Sequence, residues 1–502
     1  MLRPVLLLLP LLLASAAPDP SLSTFLSATH WSPCYYLSSL PSLWDGCAAL
    51  ARTGTRAIKL ILDGSPDDTY PWNTAWGPVM ANVSTLAELA ATELYDTALR
   101  GRASPLPAWE FDVFSLVSYS LGTGGGNGWN YWCTSFTEAD AAGETAEFSG
   151  LTQHLLSAFL GGGKRFMLEH WEGDWSARCG SYDAKTPAAP AVQARMVQWL
   201  AARQAGVTAG RLAWCAAHPA LFAGGAGDCR ALGAAAIHAA AGVEVLHASE
   251  VNLVLDAMTS GFPDNILRVI PQVALDMVSY SSYDSMALSP GFAQALDFIA
   301  AHHLRTEASP EPAVYVAEFG VAENEEGPRA VRAVYENVIK WAWSRNANGV
   351  RRAAHVFAWE TFDNEVHTAS RAFPGGRCNA ATGPQLNASL LNGFWLLRPD
   401  GSEAPAFHVL ASLLNGSAPM PTPQPPLACA FTPDTDLTNC SGFEVPGASQ
   451  QDCCTACQGD ARCTAAVFSP SSPEGQQCWV KYGGTPVAKK GATMCVPEGR
   501  GE

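Results

Sequence analysis

The sequence predicts an α/β fold: a (β/α)8 barrel (TIM barrel), followed by a small disulfide-rich α+β unit. Short runs rich in β-branched and aromatic residues alternate with longer stretches at helical spacing. Eight such runs precede a proline-rich segment, and eight βα repeats close a barrel, although an open doubly wound sheet has similar content. The cysteine-dense sequence after that segment predicts the small unit.

The eight runs are predicted to be the parallel strands of the barrel. They are Thr24 to His30, Arg56 to Leu62, Glu110 to Val117, Lys164 to Trp171, Val243 to Ala248, Val273 to Tyr280, Ala313 to Glu318 and Ala353 to Trp359. Helices are expected between them, for example Leu86 to Leu99, Ala146 to Leu160, Ala191 to Arg203, Phe292 to His302 and Pro328 to Trp343.

The amino terminus has the order of a secretory signal peptide. Arg3 is followed by an apolar stretch, Val5 to Leu13, and by small residues up to Ala16. This stretch is shorter than the roughly 20 residues of a membrane span. We therefore expect a secreted, extracellular or cell-surface protein without a membrane span. Its expected parts are a signal peptide at 1–16, the barrel at 22–415, a proline-rich linker at 416–428 and the small unit at 429–496.

Charge and cysteine content exclude some functions. The net charge of −16 disfavours a nucleic-acid partner, because a polyanion would be repelled. In an oxidising compartment the 15 cysteines are expected to form disulfides. Seven of them precede the linker, so one of these is free or pairs outside its domain. Possible N-glycosylation acceptors are Asn82, Asn387, Asn415 and Asn439.

Acidic residues stand at the ends of two predicted strands that lie across the barrel mouth from each other. The fourth strand ends in Lys164 to Trp175, KRFMLEHWEGDW, and the seventh in Ala313 to Gly320, AVYVAEFG. Active sites of such barrels form at the carboxyl ends of the strands. Two facing carboxyl groups are the machinery that breaks a glycosidic bond, and a separation of about 5 to 5.5 Å makes the reaction retaining.

The strand-end residues resemble clan A of the retaining glycoside hydrolases. The shared order is a glutamate after strand four, an aromatic cluster after strand six, a glutamate after strand seven and a tryptophan after strand eight. The resemblance implies a carbohydrate substrate, no metal and no cofactor, with Glu172 as acid/base and Glu318 as nucleophile. Many members have asparagine before the acid/base, whereas Trp171 stands here, so Glu169 remains a rival acid.

Further residues are candidates for supporting roles. Tyr280 is expected to hydrogen-bond the nucleophile and keep it ionised. For Glu318, the alternative to a catalytic role is an ion pair with an arginine at the barrel mouth. For Glu172 and Asp174, the alternative is an acidic turn that caps the following helix. Candidate substrate-binding residues are Trp31, His170, Trp171, Asp174, Trp175, Glu250, Asn252, Tyr283, Trp359 and Glu360.

The carboxyl-terminal segment resembles a PAN/Apple domain. The resemblance rests on three motifs: QDCCTAC at Gln451 to Cys457, CTAAVF at Cys463 to Phe468 and CWVK at Cys478 to Lys481. The resemblance implies a module that binds a glycan or a protein; the alternative is an appendage that only stabilises. For the whole chain, the hypotheses are a retaining glycosidase, a catalytically inactive glycan-binding barrel, and a transglycosylase that uses the same residues.

Overall fold

Eight parallel strands form the first part of this computed structural model, as the sequence predicts. They are β1 (Leu26–Ala28), β2 (Ala57–Leu62), β3 (Val113–Ser118), β4 (Lys164–His170), β5 (Val243–Val251), β6 (Met277–Ser281), β7 (Val314–Glu318) and β8 (Val356–Ala358). Each pairs with its sequence neighbour, and β1 also pairs with β8. A parallel bridge between Thr29 and Lys59 joins β1 to β2, so the sheet closes into a barrel.

The structure describes residues 22–101, 109–122, 130–222, 228–262, 264–366, 378, 383–422, 429–438, 441–444, 450–472 and 477–497. The predicted signal peptide, Asn439, and residues 423–428 of the predicted linker lie outside these ranges.

Helices follow the strands and cover the barrel. They are α1 (Leu22–Phe25), α2 (Ser42–Ala51), α3 (Pro66–Thr69), α4 (Trp76–Met80), α5 (Leu86–Ala90), α6 (Glu93–Arg100), α7 (Glu138–Ala158), α8 (Gly173–Ser176), α9 (Pro190–Ala217), α10 (Cys229–Ala241), α11 (Val254–Ser260), α12 (Asn265–Arg268), α13 (Gly291–His302), α14 (Glu323–Trp343) and α15 (Pro405–Leu414). Short 3-10 helices are Tyr131–Cys133, Pro219–Leu221, Ile270–Gln272 and Ala388–Leu390. The predicted helix Leu86 to Leu99 is two helices, because the helical conformation is interrupted at Ala91 and Thr92, between α5 and α6.

The barrel interior changes from apolar to polar along its axis. The inner layer near the amino ends of the strands is apolar: Ala57, Val113, Met167, Leu246, Ala248, Met277, Tyr315, Ala317 and Phe357. Because side chains alternate along a strand, the next inward residue on β2, β3 and β4 is two positions further on. Those residues are Lys59, Ser115 and Glu169, and all three are fully buried.

Disulfides link distant parts of the chain. In the barrel the pairs are Cys34–Cys378, Cys133–Cys179 and Cys215–Cys229. Cys47 is the free cysteine of the described residues and is buried, which accounts for the odd number before the linker. Within the described ranges, no helix combines the length and the apolar character that crossing a bilayer requires.

The carboxyl-terminal part is an antiparallel sheet with one helix. Its strands are β9 (Cys429–Thr438), β10 (Ser441–Glu444), β11 (Ala465–Phe468), β12 (Cys478–Tyr482) and β13 (Thr485–Pro497), in the order β10-β12-β11-β13-β9. Helix α16 (Gln450–Gly459) is tied to the sheet by Cys453–Cys478 and Cys454–Cys495, and Cys457–Cys463 closes its end. This confirms the predicted disulfide-rich α+β unit.

Candidate active site

A cavity of about 400 Å³ opens at the carboxyl ends of the barrel strands. Two glutamates line it, Glu172 after β4 and Glu318 at the end of β7. The other lining residues are mostly aromatic: Trp31, Trp171, Tyr182, Tyr283, Trp359, Asn364, Glu365 and Phe394. Aromatic faces with a few carboxyl and amide groups suit a polar ligand that also has apolar C–H faces.

Glu318 reaches this cavity because β7 is irregular near its end. Tyr280 pairs with Val316, but the next residue, Ser281, pairs with Glu318, so β7 carries one extra residue, Ala317. A β-bulge of this kind changes side-chain alternation and is frequent at barrel rims. Ala317 belongs to the inner layer, and Glu318, which follows it, also points inward.

Three donors contact the Glu318 carboxyl group, which is 2% exposed. Lys59 Nζ lies 3.0 Å and Trp171 Nε1 2.6 Å from Oε1, and Ser281 Oγ lies 3.5 Å from Oε2. Burial raises the pKa of Glu318, and the charge and hydrogen bond of Lys59 oppose that rise. The net pKa lies above the usual glutamate value.

Glu172 reaches the cavity through a left-handed turn directly after β4. Its φ is 58° and its ψ is 46°, a conformation that costs a non-glycine residue about 1–2 kcal/mol. The surroundings hold it in place: its N–H donates to Glu250 Oε1 at 2.8 Å, and its carbonyl accepts from Ser176 N–H at 2.7 Å. Asn252 Nδ2 lies 3.4 Å from Glu172 Oε1. Such strained residues cluster at functional sites.

Glu169, the rival acid, lies below the cavity and is fully buried. Strand alternation points Glu169 and Trp171 into the barrel, but only Trp171 lies far enough along the axis to line the cavity. Glu169 accepts hydrogen bonds from Lys59 Nζ at 3.2 Å, Ser279 Oγ at 3.1 Å and Ser115 Oγ. Its position makes it a partner of Lys59 and separates it from any ligand in the cavity.

The structure corrects two expectations on the loop after β4. His170 alternates outward, where its ring nitrogens lie 3.2 Å from Ser249 Oγ and 3.1 Å from Ser176 Oγ. Asp174 is fully buried and accepts the N–H groups of Asn252 and Asn265, each at 2.8 Å. Neither side chain lines the cavity, where both were expected, and the hydrogen bonds place them in support of the loops.

Glu250 and Asn252 are also placed behind the cavity wall. Both point into the barrel from the end of β5, but Glu250 is fully buried and Asn252 is 5% exposed. Glu250 contacts Lys59 and the main chain of Glu172, and Asn252 Oδ1 accepts from Asp174 N–H at 3.1 Å. Direct substrate binding was expected of both, and the structure places them in contact with Glu172 and Asp174.

Tyr280 does not contact Glu318. It alternates outward from β6, where its ring stacks on Phe292 and its hydroxyl bonds Asp284 and, at 2.5 Å, Ser285. The expectation that Tyr280 supports the nucleophile is wrong for this reason. Tyr283, three residues further on, lines the cavity with Glu318 and is 41% exposed.

Three of the expected tryptophans, Trp31, Trp171 and Trp359, lie in the cavity wall. Trp31 packs edge-to-face against Trp171 and Trp359, with ring centroids 4.8 Å and 5.5 Å apart. Glu360, which was expected to bind substrate, is fully buried behind this wall and accepts Trp31 N–H at 3.2 Å. Trp175 packs against a lining residue, Tyr182, with its ring tilted by 39°, and does not line the cavity itself.

The sequence analysis missed several residues of this site. Lys59 is the most important one, and its signal was a lysine within the apolar strand AIKLIL. Asn364 and Glu365 follow β8 in the sequence, so the strand-end rule could have found them. Tyr182 and Phe394 lie in loops far from strand ends and gave no local signal. Among the described residues there is no group of three or more side chains suited to hold a metal ion.

Comparisons with known proteins found no matching family model and no matching curated protein. Among solved structures, the chain is similar to a family 39 glycoside hydrolase from Bacteroides cellulosilyticus WH2, with 11% identity over 96% of this chain and 83% of that one, and a TM-score of 0.41. A GH5_18 from Bifidobacterium longum subsp. infantis has 15% identity over 78% of each chain, with a TM-score of 0.40. An endo-beta-1,4-mannanase from Cellulomonas fimi has 11% identity over 94% and 93%, with a TM-score of 0.36. Similarities this weak carry no information on the substrate of this chain.

Proposed function

We propose that this protein is a secreted retaining glycoside hydrolase with Glu318 as nucleophile and Glu172 as acid/base. The observation that carries the proposal is the pair of nearly buried carboxyl groups, one after β4 and one at the end of β7, that line one aromatic cavity. Both are brought there by irregular backbone, a bulge on β7 and a left-handed turn after β4. Two separate local irregularities that converge on one cavity favour a chemical role over a structural one.

The proposed roles follow from the surroundings of each group. Glu318 attacks the anomeric carbon as a carboxylate, which the donors Lys59, Trp171 and Ser281 stabilise. While the glycosidic C–O bond breaks, Glu172 gives its proton to the leaving oxygen. Glu172 then takes a proton from water, the water oxygen attacks the same carbon, and the ester to Glu318 breaks. Trp31 and Trp359 would pack on the sugar ring.

Leaving groups of different acidity separate the two roles. We expect Glu318→Gln to lower kcat/KM at least about 10³-fold on every substrate, because no other group replaces the nucleophile. Glu172→Gln is expected to lose a similar factor on natural glycosides but much less on aryl glycosides, whose leaving oxygen needs no proton. The assay is a panel of aryl glycosides, oligosaccharides and polysaccharides, with the first anomer released identified by NMR.

Glu110→Gln is the matched control. Its carboxyl group is 70% exposed at the opposite end of the barrel, so activity should match that of the wild type. Release of the inverted anomer would reject the retaining mechanism, and wild-type turnover by Glu318→Gln would reject the nucleophile. Tight glycan binding without turnover by the wild type would favour the inactive barrel, and transfer to added sugar acceptors in place of water would favour the transglycosylase.

We also propose that the carboxyl-terminal unit is a PAN/Apple-like binding module. Its helix is cross-linked to a five-stranded antiparallel sheet, and Trp479 and Phe431, each 39% exposed, are available for a glycan or a protein ligand. Secretion is supported by the disulfides and by exposed acceptor sites at Asn82, Asn387 and Asn415. Glycan profiling of the isolated unit against the whole chain tests the ligand, and mass spectrometry of secreted protein tests glycosylation.

A further inference from the structure

The floor of the cavity holds more negative groups than positive ones. Lys59 Nζ lies 3.0 Å from Glu318, 3.2 Å from Glu169 and 3.5 Å from Glu250. These four side chains are at most 3% exposed. Three carboxylates around one ammonium would leave two uncompensated charges away from water, which is costly. We call Lys59, Glu169, Glu250 and Glu318 the floor cluster.

The hydrogen bonds show which member is least suited to ionisation. Glu169 accepts from Lys59 and two serine hydroxyls, and Glu318 accepts from Lys59, an indole N–H and a hydroxyl. Glu250 also accepts hydrogen bonds on Oε1, but its contact with the Lys59 ammonium, 3.5 Å from Oε2, is the longest of the three, so Lys59 stabilises its charged form least. Burial raises the pKa of Glu250 well above its usual value, and the neighbouring carboxylates add to the rise.

The other oxygen of Glu250 connects the floor cluster to the second wall of the cavity. Oε1 accepts the main-chain N–H of Glu172 at 2.8 Å, at the residue whose left-handed conformation aims its side chain into the cavity. Asn252 Nδ2 lies 3.4 Å from both Glu250 Oε1 and Glu172 Oε1. A neutral carboxyl group keeps an acceptor for this N–H on Oε1 while a proton sits on Oε2.

We propose that Glu250 is a positioning residue that stays protonated in the working enzyme and, through the Glu172 main chain, fixes the acid/base over the nucleophile. This proposal rests on the proposed function for its kinetic part only. The proton lowers the negative charge beside Glu318 without removing the hydrogen bond that holds the turn. Ionisable groups that face Glu250 are Lys59 on β2, Tyr119 after β3, Glu169 and Glu172 on and after β4, and Tyr315 and Glu318 on β7.

Infrared difference spectroscopy tests the protonation without any substrate. At neutral pH, the spectrum of wild type minus Glu250→Gln should contain the C=O stretch of a protonated carboxyl group. The matched variant Glu169→Gln should remove carboxylate bands and leave that C=O stretch in place, because Glu169 is well supplied with donors. Loss of carboxylate bands in Glu250→Gln would overturn the proposal even if the protein proved to have no glycosidase activity.

Kinetics test the positioning. Glu250→Gln keeps an oxygen for the Glu172 N–H and a neutral group, so kcat/KM should stay within about tenfold of wild type, with an unshifted acid limb of the pH profile. Glu250→Ala removes the acceptor and should lower kcat at least about 30-fold with little change in KM. Equal losses in both variants, or an acid limb shifted by Glu250→Gln, would overturn the proposal. Wild-type inactivity on all glycosides would reject the proposed function and leave the infrared result to decide the protonation.

Discussion

Two sets of buried and half-buried acids, one at each end of the barrel, have opposite surroundings. At the amino ends of the strands, carboxylates have arginine partners: Arg211 pairs with Asp276, and Arg56 bonds Asp112 at 2.5 Å and 2.8 Å. The pKa of Asp276 is lowered, because the Arg211 charge and several hydrogen bonds outweigh its burial. At the carboxyl ends, three glutamates share Lys59, and the pKa values of Glu250 and Glu318 are raised.

This difference indicates a division of labour between the ends. Paired charges at the amino ends satisfy each other, so removal of one partner would destabilise the fold. Crowded carboxyl groups at the carboxyl ends lower the stability of the fold. Such groups occur where catalysis needs acids with shifted pKa values.

The largest effect is expected for Lys59→Met. The floor cluster would lose its cation, so kcat/KM should fall about 10³-fold and the free energy of unfolding by about 3 kcal/mol. Kinetics and urea denaturation measure the two effects. Lys59→Arg, which keeps the charge, is the matched control for stability. Unchanged turnover by Lys59→Met would contradict a catalytic role of the floor cluster.

Arg211→Met should destabilise the protein without affecting the chemistry. The variant would leave Asp276 buried without its cation, which costs about 3–5 kcal/mol. The double variant Arg211→Met/Asp276→Asn should recover part of this loss, as a double-mutant cycle would show. We expect kcat of the folded enzyme to stay at the wild-type value, and a lowered kcat would contradict the separation of the two ends.

Trp359→Ala is expected to raise KM about tenfold, because an indole face would be lost from the cavity wall. Trp359→Phe keeps an aromatic face and should recover most of the affinity. An increase in KM that Phe does not reduce would show that the indole acts in another way, such as packing against Trp31.

The acid limb of the pH profile is the finest test. Glu318 must be ionised to attack, and burial raises its pKa, so activity should be lost as the pH falls through a value above that of an ordinary glutamate. Removing the Lys59 charge should move this limb to still higher pH. A limb at or below the usual glutamate value, measured as kcat/KM against pH, would contradict the raised pKa.

Sequence patterns predicted the barrel well because eight strands buried on both faces leave a strong apolar signal. All eight predicted strands overlap the observed ones, and Glu318 was found at the end of its strand. Alternation also explains why Tyr280 and His170 point outward, and a stricter use of it would have excluded both.

The orientation of the two proposed catalytic groups could not be predicted in the same way. Strict alternation would turn Glu318 outward, and only the bulge at Ala317 reverses this. Glu172 depends on a left-handed turn that Glu250 supports from a distant part of the chain. Lys59 was predictable, since a charged residue inside an apolar barrel strand requires partners.

Trapping the glycosyl-enzyme ester would identify the nucleophile itself. The wild type would be treated with 2-deoxy-2-fluoro glycosides of the sugars it hydrolyses, and the labelled peptide identified by mass spectrometry. We expect one sugar attached to Glu318 and no label in Glu318→Gln. A label on Glu172, or turnover by Glu318→Gln, would contradict this expectation.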